Sequence, residues 1–168
     1  MKNLKLLIIT ITFLFTTEKS FSQMMPPEPI KSPLLESMMG TWVSDPYQMM
    51  GANMTDEVVH TMILNGQFME IDVSSKADNG FTYLGKILIA PNTDGSLSGT
   101  AYDIFGKKGI TNYTGIPDGN KVTMSGSNDM MSETREIIIN GNTMTHNVTF
   151  DFKGMPQEKV TILYKKKN

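Results

Sequence analysis

From residue 40 onward the chain is interrupted at short, fairly even intervals by groups of residues suited to tight turns. They are Asn65-Gly66, Asp78-Asn79-Gly80, Asp94-Gly95, Pro117-Asp118-Gly119 and Asn140-Gly141. Asparagine, aspartate and glycine reach the positive φ angles that a tight hairpin demands. No pattern of strands alternating with long helices appears between them, which disfavours a parallel sheet. Each run therefore has to turn back and pair antiparallel with the one before it.

Within these runs apolar and polar residues alternate with a period of two, which predicts strands over 41–45, 57–64, 67–76, 81–90, 97–105, 110–115, 121–127, 133–139, 143–152 and 158–165. Pro46 ends the first of these. Residues 47–55, with Met49, Met50, Gly51 and Met54, lack sheet alternation and are expected to form a loop or a mobile lid. Ten strands joined in order by short turns make an all-β meander. Closing it into an up-and-down barrel hides the two unpaired edges, and a sandwich of two sheets is the alternative.

The N-terminal part has a different character. Lys2 and Lys5 precede an apolar run from Leu6 to Phe15, followed by the small residues Ser20 and Ser22, which is the pattern of a signal peptide over residues 1–22. The run falls short of the roughly 20 residues that a membrane-spanning helix needs, and no later stretch comes near it. A retained N-terminal anchor is the alternative. Four prolines between Gln23 and Pro33 make 23–33 an extended linker. Leu34, Leu35, Met38 and Met39 then recur at helical spacing and predict a helical turn leading into the barrel domain, residues 34–168. Cysteine is absent, so no disulfide braces the fold; together with the leader this suggests an exported protein, periplasmic or extracellular, of a Gram-negative bacterium.

The whole chain has a formal charge of −2. The one dense basic run, Lys165 to Lys167, lies at the chain end, so nothing here predicts a nucleic-acid partner. The sequence contains no Gly-x-Ser-x-Gly, no His-Glu-x-x-His and no phosphate-cradling glycine loop. Asn92, Asp94 and Ser96 have the spacing that opens a calcium loop, but the glutamate that would close it is missing.

The segment from Leu35 to Trp42, Leu-Glu-Ser-Met-Met-Gly-Thr-Trp, resembles the Gly-x-Trp opening of lipocalin-like proteins. It is more similar still to a secreted bacterial lipocalin-like, calycin-like β-barrel family of uncharacterised function whose members open with Leu-x-x-Leu-x-Gly-x-Trp. The hairpin from Ile63 to Phe68, the run Tyr83-Leu84-Gly85 and the Asn140-Gly141-Asn142 turn extend the resemblance over residues 34–165. Met39 stands where relatives have leucine, and the cysteine pair of many lipocalins is missing. The resemblance implies a barrel holding a small apolar or amphipathic molecule, with Gly40 and Trp42 as structural residues at its closed end and the pocket at the far end. It carries over no catalytic residue.

The candidate ligand-binding residues follow from strand alternation. His60 and Met62 share a face with Val58 and Leu64, and His146 shares one with Met144, Val148, Phe150 and Phe152, so both histidines point inward among apolar side chains. The single arginine, Arg135, shares a row with Glu133, Ile137 and Ile139. Turned inward, it would meet a ligand carboxylate with its planar fork; turned outward, it would pair with Glu133 or an acid of a neighbouring strand. Tyr83 and Tyr102 complete the set. Fifteen methionines, several in doublets, suit an adaptable cavity lining and lid. Two histidines without a carboxylate or cysteine cluster define no metal site, and the methionine spacing is not that of a Cu(I) carrier, so neither haem nor copper is expected. Three functions fit these residues: a binding barrel, a filled structural barrel of the envelope, or an enzyme on a lipid-like substrate with His60 and His146 as its acid and base groups. Ligand identity and oligomeric state stay open.

Overall fold

The computed structural model describes residues 25–167. The expected signal peptide, residues 1–22, lies outside the described residues. Residues 25–32 are extended, and the linker touches the barrel where the Gln67 amide donates to the Pro27 carbonyl at 2.6 Å.

Helix α1 spans Pro33–Met38. Ser32 caps it by accepting from the Leu35 N–H, and Pro33 occupies the first turn, where its missing N–H costs nothing. Eleven strands follow among the described residues: β1 (Gly40–Ser44), β2 (Tyr47–Met49), β3 (Ala52–Ile63), β4 (Phe68–Ala77), β5 (Thr82–Pro91), β6 (Leu97–Asp103), β7 (Thr111–Asp118), β8 (Lys121–Ser127), β9 (Met131–Asn140), β10 (Thr143–Phe152) and β11 (Glu158–Lys166). A short 3-10 turn, Gly106–Gly109, joins β6 to β7.

Each strand from β3 to β11 pairs antiparallel with the next, and β1 pairs with both β11 and β3. That double pairing closes the sheet into a ten-strand barrel and leaves it without a free edge. Strand β2 stands outside the closed ring, paired only with the start of β3.

Several sequence expectations need correction. Residues 47–55 are neither loop nor lid: β2 and the beginning of β3 form a tight hairpin, turned by Met50 and Gly51 with φ of 50° and 76°. Alternation was hidden because β2 has only three residues. Leu64 does not continue the inward row of His60 and Met62. It sits at φ 50° in a four-residue turn, Leu64 to Gln67, and is exposed. Pro117 lies inside β7 rather than beyond its end, opposite Val122 of β8.

The two ends of the barrel differ. At the end where β1 begins, Leu34, Leu35 and Met38 of α1 are buried against Trp42, Met69, Ile89, Leu97, Val122, Ile139 and Met144, which form one continuous core. This is an apolar plug, and Trp42 within it has no exposed surface. Gly40, at φ 113°, brings the chain from the helix into β1 under Lys166, whose ammonium lies 5.2 Å from the Trp42 ring centre. At the opposite end the loops carry exposed Met50, Phe81, Ile104, Phe105 and Met155.

Candidate functional site

Strand alternation places a polar belt inside the barrel between the apolar plug and the opposite end. Asp56 of β3 is buried and takes hydrogen bonds from two tyrosines, Tyr47 Oη at 2.9 Å and Tyr164 Oη at 2.7 Å. The Asp56 N–H donates to Ser44 Oγ at 2.7 Å, which ties the belt to β1. Across the interior, Arg135 of β9 faces inward beside buried Val148 and Met124. Its Nη2 lies 3.3 Å from Glu133 Oε2 and its Nη1 lies 3.3 Å from His146 Nδ1. Arg135 therefore does turn inward, yet it also pairs with Glu133, because the two alternate on one face of the same strand.

The exposure of these partners is unequal. The Arg135 side chain is 24% exposed whereas that of Glu133 is 3% exposed. Burial opposes the Arg135 charge most, but Glu133 together with Tyr113 and Tyr164 offsets that cost and raises its pKa.

His146 is buried, and its ring lies 4.7 Å from that of Tyr164. Burial, then the Arg135 charge, then nearby His60 hold it neutral, far below the usual histidine range. Its Nδ1 faces a guanidinium, which can only donate, so Nδ1 accepts and the ring proton sits on Nε2. Burial also raises the four belt tyrosines well above their usual range. The charge of Asp56 acts on Tyr47 and Tyr164, that of Asp103 on Tyr83 and that of Glu133 on Tyr113. The belt tyrosines stay as neutral hydroxyls.

Glycines make room for the aromatic rings. The Tyr83 ring folds back over Gly85, and the Tyr113 ring lies over Gly126, its partner across β7 and β8. A Cβ at Gly126 would come within 2.6 Å of the Tyr113 ring. Toward the end opposite the plug the belt gives way to apolar side chains, where Phe150 and Phe152 stack at 5.6 Å between ring centres and Met131 and Met49 pack against the same core.

Of the residues singled out from sequence, Arg135 and His146 come together directly, and Tyr83 stands on the same inner face nearer the end opposite the plug, its hydroxyl 3.4 Å from Asp103. His60 and Met62 belong to the plug side. His60 Nδ1 is 2.9 Å from the carbonyl of Met38, and burial lowers its pKa to about 4. Tyr102 faces outward and is half exposed, away from the belt. Sequence reasoning missed Asp56, Tyr47, Tyr113, Tyr164 and, as a belt member, Glu133. Asp56 carried a usable signal, an acid in the inward register of Val58 and His60, but Tyr47 lay in the segment taken for a lid.

Outside the barrel a depression of about 420 Å³ is lined by Asn112, Thr114, Ser125, Ser127, Thr134 and Thr149 among others. These are mostly the outward positions of β7 to β10, and two carboxylates, Glu133 and Asp151, also line it. Among the described residues no three of His, Cys, Asp and Glu are grouped as metal ligands, and no helix is long and apolar enough to cross a membrane.

No family model matches the sequence, and no curated protein matches it. Among solved structures, the crystal structure of Rv2717c from M. tuberculosis is similar with a TM-score of 0.65 at 13% sequence identity, covering 83% of this chain and 100% of that one. At that identity the likeness shows the fold alone.

Proposed function

We propose that this protein is an exported binding barrel, periplasmic or extracellular, for a small apolar or amphipathic molecule that enters from the end opposite the α1 plug. The observation that carries the reading is Arg135, an inward-facing cation whose side chain keeps 24% of its surface exposed although its partner Glu133 is 3% exposed. Binding pockets combine apolar walls with a few convergent polar groups. Here the polar belt lies deep, and the apolar side chains of Phe150, Phe152 and Met131 lie nearer the end opposite the plug. A molecule with a polar head and an apolar body would match that order. The apolar plug of α1 and Trp42 closes the other end. Export, to the periplasm or beyond it, rests on the leader pattern of residues 1–22.

A filled structural barrel is the second reading, favoured by the apolar packing of the plug half. Native mass spectrometry of the protein purified from its own cells separates the two. The binding reading expects a non-covalent adduct that collisional activation releases as a small molecule. A bare protein mass, together with no uptake of an added apolar dye, overturns it.

A further inference from the structure

The loops at the two ends of the barrel expose different side chains. Beside the plug, the loops 64–67, 92–96, 119–120 and 141–142 expose one large apolar residue, Leu64. The loops at the opposite end expose Met50, Phe81, Ile104, Phe105, Ile110 and Met155. Water covers apolar surface at a cost, and so many apolar side chains gathered on one rim mark a surface that another body covers.

The patch is densest on the connection from β6 to β7. Its sequence, Ile104-Phe105-Gly106-Lys107-Lys108-Gly109-Ile110, sets two lysines between apolar residues. The Ile104 N–H donates to the Leu84 carbonyl at 3.1 Å, so half-exposed Leu84 carries the patch onto the outer wall of the barrel. Tyr102, outward and half exposed, stands in the same row two residues before Ile104. Lys107 and Lys108 are both exposed and form no ion pair among the described residues. The nearest acid in sequence, Asp103, is occupied by the Phe105 N–H at 2.9 Å and the Tyr83 hydroxyl at 3.4 Å. Asp78 of the neighbouring loop holds the Asn53 amide, and exposed Asp129 lines a shallow depression together with Lys107.

This order of side chains selects the occupant. Lysine is depleted from the cores of protein interfaces, where its charge leaves water, yet here two lysines lie in the middle of the apolar stretch. At a bilayer surface the same order is favourable, because apolar side chains enter the acyl boundary, lysines meet lipid phosphates and tyrosine sits at the headgroup level. We propose that the end of the barrel opposite the plug docks on an anionic phospholipid bilayer. Ile104, Phe105 and Phe81 insert, Lys107 and Lys108 meet the phosphates, and Tyr102 lies among the headgroups. The docking holds whether the barrel is hollow or filled, and so stands apart from the binding reading.

Vesicle flotation tests it on the full chain purified from its own cells, with vesicles of phosphatidylcholine alone and of phosphatidylcholine with phosphatidylglycerol. The parent is expected to bind the anionic vesicles at least tenfold more tightly. A lysine beside an anionic leaflet is worth about fivefold in affinity, so Lys107→Glu with Lys108→Glu should weaken that binding at least tenfold. Ile104→Ser with Phe105→Ser should weaken it at least fivefold, and Phe81→Ser repeats the apolar test on a separate loop. Leu64→Ser, an exposed apolar change at the plug end, should stay within twofold of the parent. All these side chains are exposed, so thermal melts of the variants should match the parent. A parent that does not float, that floats equally with both vesicles, or whose flotation survives the rim substitutions overturns the proposal. Self-association without vesicles that Ile104→Ser with Phe105→Ser abolishes also overturns it and gives the patch to a second copy of the chain.

Discussion

The carbonyl of Met38 gives the sharpest test of how the closed end is built. As the last residue of α1, Met38 has a carbonyl without a partner inside the helix. Two side chains supply donors instead, Trp42 Nε1 at 2.7 Å and His60 Nδ1 at 2.9 Å. All three residues are buried, at 2%, 0% and 3% exposure, so water cannot easily replace either donor. Trp42→Phe removes one hydrogen bond, worth about 1 kcal/mol net, and leaves a small void; the two losses together come to roughly 2–3 kcal/mol. His60→Leu removes the other bond for about 1 kcal/mol, with the carbonyl still held by Trp42. The double variant leaves the carbonyl buried with neither donor, which adds a desolvation cost of roughly 1–3 kcal/mol that neither single variant bears. The double-mutant cycle should therefore be more destabilising than the sum of the singles by at least ~1 kcal/mol. Urea unfolding followed by far-UV circular dichroism measures it, since Trp42 is the only tryptophan and its fluorescence is lost in two of the four proteins. Additivity to within about 0.5 kcal/mol would refute the shared-carbonyl account.

Two further predictions concern the interior. His60 has its pKa lowered from 6.5 to about 4 in the folded protein, so as pH falls from 6.5 to 4 the unfolded chain takes up a proton that the folded chain refuses. Stability is thus complete above pH 6.5 and declines across that window by about 3 kcal/mol from His60, with His146 acting in the same direction. A pH series of urea midpoints should show this slope in the parent and a shallower one in His60→Leu; equal slopes would remove His60 as a source. Gly126→Ala would bring a methyl into the Tyr113 ring and is expected to cost about 1–3 kcal/mol in the parent. The same substitution in a Tyr113→Ser background should cost less than half as much, and thermal melts of the four proteins would expose an undiminished cost.

Much of the strand order was legible because its causes are local. A period of two and a few residues able to adopt positive φ are read from neighbours in the chain, and from β3 to β11 they place the strands close to where they lie. The failures have equally physical reasons. Tyr47 to Met49 is too short a strand for alternation to show, and it is held by pairing with β3 and by the Tyr47 to Asp56 hydrogen bond. Pro117 looked like a terminator because proline removes an N–H from a sheet ladder, but it occurs next to the end of β7, where the ladder tolerates that loss. His146 and Arg135 could be placed on inner faces from their apolar row-mates, whereas Tyr113 sits in a row with Thr111 and Gly115 and gives no such cue.

Taken alone, the sequence determined an antiparallel all-β meander, the turns that join it and which residues of a strand share a side, because all of these depend on residues close together in the chain. Only the tertiary structure decided that the meander closes through β1, and that Asp56 meets Tyr164 across 108 residues of chain. It also decided that Arg135 finds its counter-charge inside the barrel, where two neighbouring donors are left over. Those features depend on which face the closed sheet turns inward and on what the opposite wall presents there, quantities set by closure and by residues distant in sequence.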